Sequence, residues 1–248
     1  MPNECWGVIP ARYQATRFPG KPLTPILGKP MFLRVFEQAC RCPDLDHVLL
    51  ATDSQRIAAE ARKHGVPCEM TRADHPSGTD RVLEAAEKAR IPESAVVINI
   101  QGDEPALHPE MLTEVIGPFA DPNVQVTTLI REEKRAAVND PNRVKVVIDK
   151  AGNALYFSRA GIPLDFAGTA PTYYRHIGLY AYRLPVLRRF VACGPGALER
   201  TEKLEQLRLL ENGIPIRTVQ SRHRSQGVDQ PSDVAAVEQL IQQRRNQT

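Results

Sequence analysis

Ala95 to Ile100 reads AVVINI and is followed at once by Gln101-Gly102-Asp103-Glu104-Pro105. The fold turns on this stretch. A strand with one wet face alternates apolar and polar residues, whereas a strand covered on both faces need not. AVVINI does not alternate, and a polar loop ends it abruptly. Upstream the pattern recurs in Trp6 to Pro10 (WGVIP) and Val48 to Thr52 (VLLAT). Between these runs the apolar residues switch to helical spacing. Pro30 to Arg41 carries Met31, Phe32, Val35, Phe36 and Ala39; Gln55 to His64 follows a capping Ser54 and stops at Gly65; Ser77 to Ala89 shows Val82, Ala85, Ala86 and Ala89 on one face. Pro109 opens a further helix. Strand and helix in alternation predict an α/β fold whose mostly parallel sheet has helices on both faces. Ligands of such sheets bind beyond the carboxyl ends of the strands. The loops after Pro10, Thr52 and Ile100 are therefore expected along one edge.

After about Asn142 the character changes. Val144 to Asp149 (VKVVID) and Ala154 to Ser158 (ALYFS) read as strands joined by an Ala151-Gly152-Asn153 turn. Tyr173 to Tyr182 is aromatic and β-prone, Leu198 to Leu210 reads as one helix ended by Gly213, and Ile214 to Val219 as a strand. A closing helix spans Pro231 to Gln243, with Val234, Val237, Leu240 and Ile241 on one stripe. The expected organisation is a single domain over 1–248 with an insertion at about 150–215.

Composition sets the class. At 248 residues, with 42% hydrophobic and 25% charged residues, the chain matches an ordinary globular protein and excludes disorder, collagen and coiled coil. No apolar run approaches the ~20 residues that cross a bilayer, and Met1 to Trp6 lacks a secretory pattern. A cytoplasmic protein that binds no membrane is expected. Thirty-two Lys+Arg against 29 Asp+Glu give a net charge of +3, far from the basic balance of nucleic-acid binders. The five cysteines are scattered without zinc-site spacing and read as reduced thiols.

Four loops carry candidate chemistry. Pro10 to Pro22 (PARYQATRFPGKP) places Arg12, Arg17 and Lys21 within ten residues after the first strand. Exposed N–H groups, guanidinium forks and an ammonium suit a polyphosphate, although a solvated basic loop is the commoner fate of such residues. The spacing is neither that of a Walker A loop nor of G-x-G-x-x-G. Asp103 and Glu104 suit Mg²⁺, which takes one or two carboxylates plus substrate phosphates. Equally, they suit the start of the next helix. Thr71-Arg72 with His75 to Arg81 offers a helix N-terminus for an anion or base carbonyl, or simply a Ser77 cap. Gly227-Val228-Asp229 precedes the last helix, where an Asp is usually a cap and matters to the site only if it meets Asp103.

Taken in order, IPARYQATRFPGKPL, GKPM, ATD, MTRADHPSGTDR, NIQGDEP, NRVKVVIDKAGNALYFSRAGIP, RHIGLYAYR, LEQLR and GVDQPSD resemble the 3-deoxy-D-manno-octulosonate (Kdo) cytidylyltransferases, the CMP-Kdo synthetases. The likeness runs from about Gly7 to Leu240. It implies a Rossmann-like fold of the nucleotide-diphospho-sugar transferase type with an inserted antiparallel dimerisation region, and hence a homodimer. It also implies Mg²⁺-dependent transfer of a cytidylyl group from CTP to the anomeric hydroxyl of Kdo, with release of pyrophosphate, for lipopolysaccharide assembly. By that resemblance Ala11, Arg12, Arg17 and Lys21 hold the triphosphate, and Arg72, Ser77 and Gln101 surround the cytosine and ribose. Asp103 and Asp229 carry Mg²⁺, while Arg159, His176, Tyr180, Glu205 and Gln206 face the sugar acid. Lys21, Arg17 and Asp103 form the catalytic set. The chain departs from the family at Ala15, where serine is usual, and at Phe18, where leucine is usual. Two rival readings remain: transfer to another acid sugar, and a nucleotide sensor without catalysis.

Overall fold

The computed structural model describes residues 4–14, 18–169 and 171–245. Arg17, a member of the expected triphosphate and catalytic sets, and Ala15 lie outside the described residues. The described residues form two compact units, one within 4–113 together with 223–245, the other within 114–222. The stretch read as an insertion lies within the second.

The first unit opens with β1 (Cys5–Ala11), a small hairpin of β2 (Pro25–Ile26) and β3 (Lys29–Pro30), and α1 (Met31–Ala39). Next come β4 (His47–Thr52), α2 (Gln55–Lys63), β5 (Cys68–Met70), α3 (Gly78–Lys88), β6 (Val96–Asn99) and α4 (Pro109–Ile116). All four sheet strands run parallel in the order β6-β1-β4-β5. Val8, Ile9, Leu50, Val97 and Ile98 are fully buried, which is why these strands do not alternate. Register fixes the ligand edge: Ala11 stands opposite Thr52, Val8 opposite Asn99, and the Ile100 N–H donates to the Val8 carbonyl at 2.9 Å. The three loops thus leave from one edge, as expected. Gly102 is required there, because a Cβ would come within 2.5 Å of the Pro10 carbonyl oxygen.

The second unit contains β7 (Val126–Glu133), β8 (Lys145–Ile148), β9 (Ala154–Ser158) and β10 (Tyr173–Arg183). It continues through α5 (Leu184–Cys193), α6 (Ala197–Glu202), α7 (Leu207–Glu211) and β11 (Arg217–Gln220). The order is β11-β7-β10-β8-β9, antiparallel except for the parallel β11–β7 pair. The expected hairpin between β8 and β9 is present, turning at Gly152 with φ of 81°. The single helix expected over Leu198 to Leu210 is instead two. Lys203 takes a left-handed conformation (φ 55°, ψ 45°) and ends α6, and the Leu204 N–H turns back to the Glu199 carbonyl. The break lets Leu204, Leu207 and Leu209 all be buried.

The chain re-enters the first unit at His223 and ends in α8 (Asp233–Arg245). Val237 and Ile241 join Ile26, Met31, Ala106 and Val228 in a buried cluster, with Phe18 packed on its flank. The unusual phenylalanine therefore adds bulk to this apolar cluster. All five cysteines are unpaired. Among the described residues no helix is long and apolar enough to cross a membrane.

Candidate active site

In the first unit the loop after β1 closes on itself, the Gly20 N–H donating to the Tyr13 carbonyl at 2.8 Å. Gly20 holds φ at 73°, a left-handed turn that suits glycine, and delivers Lys21 into a short 3₁₀ turn. The Lys21 ammonium donates to Asp103 Oδ2 at 2.6 Å and to the Val228 carbonyl at 2.9 Å. The Val228 N–H donates to the Asp103 carbonyl at 2.8 Å. Three segments distant in sequence therefore converge on the ligand edge. The segment of Asp229 meets that of Asp103, and the exposed Asp229 is anchored through its N–H to Asp233 Oδ2 at 2.8 Å. Asp103 keeps 35% of its side chain accessible, against 15% for Lys21, so the carboxylate remains open to a ligand.

A cavity of about 480 Å³ lies beside this loop, lined mainly by Arg12, Tyr13, Asp53, Ser54, Gln55 and Arg56. Ala11 ends β1 just before it and is buried. Beneath the cavity Arg81 is fully buried, donating to Asp53 Oδ2 at 2.9 Å and to Thr71 Oγ1. Burial lowers the Arg81 pKa, opposed by the Asp53 charge. Asp53 did not stand out from the sequence as a site residue, and Arg81 figured only as the end of the His75 to Arg81 stretch, with no role of its own. The available signal was position: Arg81 precedes Ala85 by four residues, which puts a guanidinium on the apolar face of α3.

Ser77 caps α3, its hydroxyl oxygen accepting from the Thr79 and Asp80 N–H groups at 3.1 and 3.2 Å. The ordinary role is therefore realised, whatever else Ser77 does. Arg72 is exposed and pairs with Asp74 at 3.3 Å, while its backbone N–H donates to Glu84 Oε2 at 2.9 Å. Partial burial would raise the Glu84 pKa, but hydrogen bonds from Lys88, the Arg72 N–H and His75 outweigh it and hold it at about 2. Gln101 lies two residues beyond the end of β6, and its carbonyl accepts from the Glu104 N–H, forming the turn that presents Asp103.

In the second unit His176 and Tyr180 lie on β10, on either side of an irregularity between Ile177 and Tyr180. The irregularity lets the Tyr180 hydroxyl reach His176 Nε2 at 2.8 Å, with Thr128 Oγ1 3.1 Å from the same nitrogen. Thr128 has one hydroxyl proton, and the Ile177 and Leu179 carbonyls stand at 3.2 and 2.9 Å to accept it. Burial, reinforced by the Arg175 charge, depresses the His176 pKa to about 3, so the imidazole is neutral at pH 7. Burial also pushes the Tyr180 phenol well above its usual range, with a further contribution from the Glu205 charge. His176, Tyr180 and Glu205 thus share one neighbourhood. Gln206 is buried and its Nε2 has no hydrogen-bond partner among the described residues. Arg159 differs: its guanidinium donates to the carbonyls of Glu202, Pro141 and Lys203 at 2.8, 3.0 and 3.3 Å. In this structure that fork holds three backbone segments together. Lys145, unnoticed in the sequence, is fully buried and donates to the Asp140 and Arg159 carbonyls, fixing the same corner.

Comparison with known proteins matches this arrangement to one family. The cytidylyltransferase family model covers residues 6–227. The chain is 54% identical over 246 residues to the 3-deoxy-manno-octulosonate cytidylyltransferase of Nitratidesulfovibrio vulgaris, covering 98% of each chain. It is 55% identical over 244 residues to that of Oleidesulfovibrio alaskensis, covering 97% of this chain and 98% of the other. The chain belongs to the 3-deoxy-manno-octulosonate cytidylyltransferase family. A solved structure of CMP:2-keto-3-deoxy-manno-octonic acid synthetase complexed with CTP superposes with a TM-score of 0.92 at 40% identity, covering 98% of this chain and all of that one. A 4-diphosphocytidyl-2C-methyl-D-erythritol synthase superposes at 0.66 with 14% identity over 96% of this chain, which extends the likeness of fold alone.

The family resemblance implies Mg²⁺, and the residues present fit it. Asp103, Asp229 and the Val228 carbonyl are all hard oxygen donors, two of them carboxylates, on segments tied by a backbone hydrogen bond. An ammonium already neutralises Asp103 in this structure, so the place suits a cation.

Proposed function

We propose that this chain transfers the cytidylyl group of CTP to the anomeric hydroxyl of 3-deoxy-D-manno-octulosonate, giving the cytidine monophosphate sugar and pyrophosphate. The observation that carries the reading is the convergence of Lys21, Asp103 and the Val228-Asp229 segment on the carboxyl edge of a parallel sheet. The sugar hydroxyl oxygen forms a bond to the α-phosphorus, the bond from that phosphorus to the β-phosphate bridge breaks, and the hydroxyl proton leaves to solvent. A hemiketal hydroxyl is acidic enough to need no dedicated side-chain base. Lys21 and Arg12, with Arg17 of the same loop, bind the triphosphate, and Lys21 offsets charge that develops on the leaving pyrophosphate. Asp103 and Asp229 hold Mg²⁺, which when bound neutralises phosphate charge.

Gln101 and Ser77 border the base and ribose, with Arg72 beside them. His176, Tyr180, Glu205 and Gln206 take the sugar acid. The neutral His176 ring serves as a hydrogen-bonding group for a hydroxyl instead of a counter-charge, and Gln206 Nε2 supplies a buried donor for an acceptor oxygen. The carbonyls that occupy the Arg159 guanidinium support a positioning role for it at the 140–160 and 202–203 corner. Pairing of two copies is supported by Leu164 and Phe166, which are 81% and 94% exposed. Sedimentation of the purified chain would show a dimer.

Pyrophosphate release measured with CTP and Mg²⁺ tests the reaction. Release should require Kdo and fail with ATP. Release with sialic acid in place of Kdo would keep the mechanism and move the specificity. Tight CTP binding with no release for any acid sugar would overturn the reading in favour of a sensor.

A further inference from the structure

His108, Glu110 and His223 lie in the first unit, apart from every residue given a role above. One ligand atom from each can be chosen so that all three fall within 4.8 Å of one another. Ligand atoms 2.0–2.1 Å from one divalent ion are separated by at most about 4 Å, so a small inward movement brings all three onto a common centre. His108 Nδ1 is buried against the Glu110 carboxylate, yet it carries no hydrogen bond of ordinary geometry among the described residues. The two imidazoles stack with centroids 4.1 Å apart and an interplanar angle of 22°. They must fan apart to share an ion, and both histidines are only half-buried.

The surroundings are built rather than incidental. Pro109, between the first two groups, opens α4 and fixes their relative direction. Arg244 of α8 donates to the Ala106 carbonyl at 2.7 Å and to the Arg224 carbonyl, so one guanidinium holds the chain beside His108 and beside His223.

The geometry points to a second metal site at His108, Glu110 and His223, taking a borderline transition-metal ion such as Zn²⁺, Co²⁺ or Ni²⁺ through two imidazoles and one carboxylate. Such a donor set selects these ions over Mg²⁺, which prefers oxygen alone. His108 follows Asp103 by five residues and His223 precedes Asp229 by six. An ion there would staple the two segments that carry the carboxylates proposed for Mg²⁺. The site would therefore stiffen the nucleotide edge without touching substrate.

The probe is Co²⁺ added to metal-free full-length protein, with Asp103→Asn as background so that the Mg²⁺ carboxylates do not compete. One equivalent should bind, producing a visible d–d absorption that excess Mg²⁺ leaves unchanged. At ~100 times its dissociation constant the ion should raise the unfolding midpoint by about 5–10 °C. His223→Gln and His108→Gln should each abolish the absorption and the shift while keeping the metal-free midpoint. Should a variant lose that midpoint, Glu110→Gln, whose side chain is exposed, supplies the same test. No absorption in the Asp103→Asn protein, or an equal signal in the histidine variants, would overturn the site.

Discussion

Lys21 shows how much a single side chain does here. Its ammonium bridges a carboxylate and a carbonyl from segments 82 and 207 residues away, and only 15% of the side chain is accessible. When a triphosphate arrives, the charge is already in position and little reorganisation is needed. Lys21→Met should therefore lower kcat by about 10²–10³-fold while the circular dichroism spectrum stays native. Asp103→Asn should lose activity more than CTP binding, and raising Mg²⁺ should recover only part of it. Near-normal turnover in either variant would remove that residue from the proposed machinery. Arg81 makes a different argument. It is wholly buried against Asp53, and removing one partner of such a pair leaves an uncompensated charge. Arg81→Met should cost about 3 kcal/mol of stability, and adding Asp53→Asn should return part of it in a double-mutant cycle read by urea midpoints. The basic loop of Lys21 was legible because cations clustered after a strand. The Arg81–Asp53 pair was not, because pairing across 28 residues leaves no local pattern.

At the level of elements, apolar runs and caps told most of the story in the first unit, where β1, β4 and β6 are largely buried and the helices carry an apolar stripe. The second unit was harder to read. β7 carries two threonines directly after Val126 and ends in charge, and its fully buried Thr127 and Thr128 are tolerated because both hydroxyls find carbonyl acceptors. That satisfaction depends on Val115 and on β10, so the strand leaves little local signal of itself. The break at Lys203 escaped notice for a related reason: the leucines spaced by three, Leu204, Leu207 and Leu210, all lie beyond it, and only the left-handed geometry of Lys203 itself reveals it. Ser77 allows the two roles of an element's first residue to be separated. Ser77→Ala should cost about 1 kcal/mol by leaving the Thr79 and Asp80 N–H groups without their cap. Ser77→Asn should restore stability, since asparagine caps as well as serine and its amide can donate to Asp80 Oδ2 as the hydroxyl does. If Ser77 also borders the nucleotide, Ser77→Asn will keep the raised KM for CTP even with stability regained. A normal KM would leave Ser77 a cap alone. Gly102→Ala should lose 1–3 kcal/mol by overpacking, roughly the cost of forcing the loop off the Pro10 carbonyl.

For the whole molecule the sharpest consequence is its response to acid, because two half-buried groups in separate units titrate in different windows. His176 has a folded pKa of about 3, below its ordinary 6.5, so the unfolded chain binds this proton first as pH falls. Its contribution to stability is complete above 6.5 and is lost progressively between there and about 3, at no more than about 1.4 kcal/mol per pH unit. Glu84 has a folded value of about 2 against an ordinary 4.5, so its contribution is complete above 4.5 and is lost down to about 2. Urea midpoints recorded from pH 8 to pH 3 should begin to fall near 6.5 in the parent chain. In His176→Gln the limb between 6.5 and 4.5 should become shallower, the remainder coming from His108, whose pKa burial also lowers, and adding Glu84→Gln should make the limb below 4.5 shallower. A residual slope should persist, since Glu133, Glu202 and Asp233 are also held below their ordinary range, the first two against partial burial by hydrogen bonds from Arg143 and from Arg159 with Ser158, and Asp233 by the Gln230 and Asp229 N–H groups. If the parent and His176→Gln profiles coincide between pH 6.5 and 4.5, the imidazole is protonated as readily in the folded state as in the unfolded one. It could then act as a counter-charge to the sugar carboxylate, and the neutral hydrogen-bonding role assigned to it would have to be withdrawn.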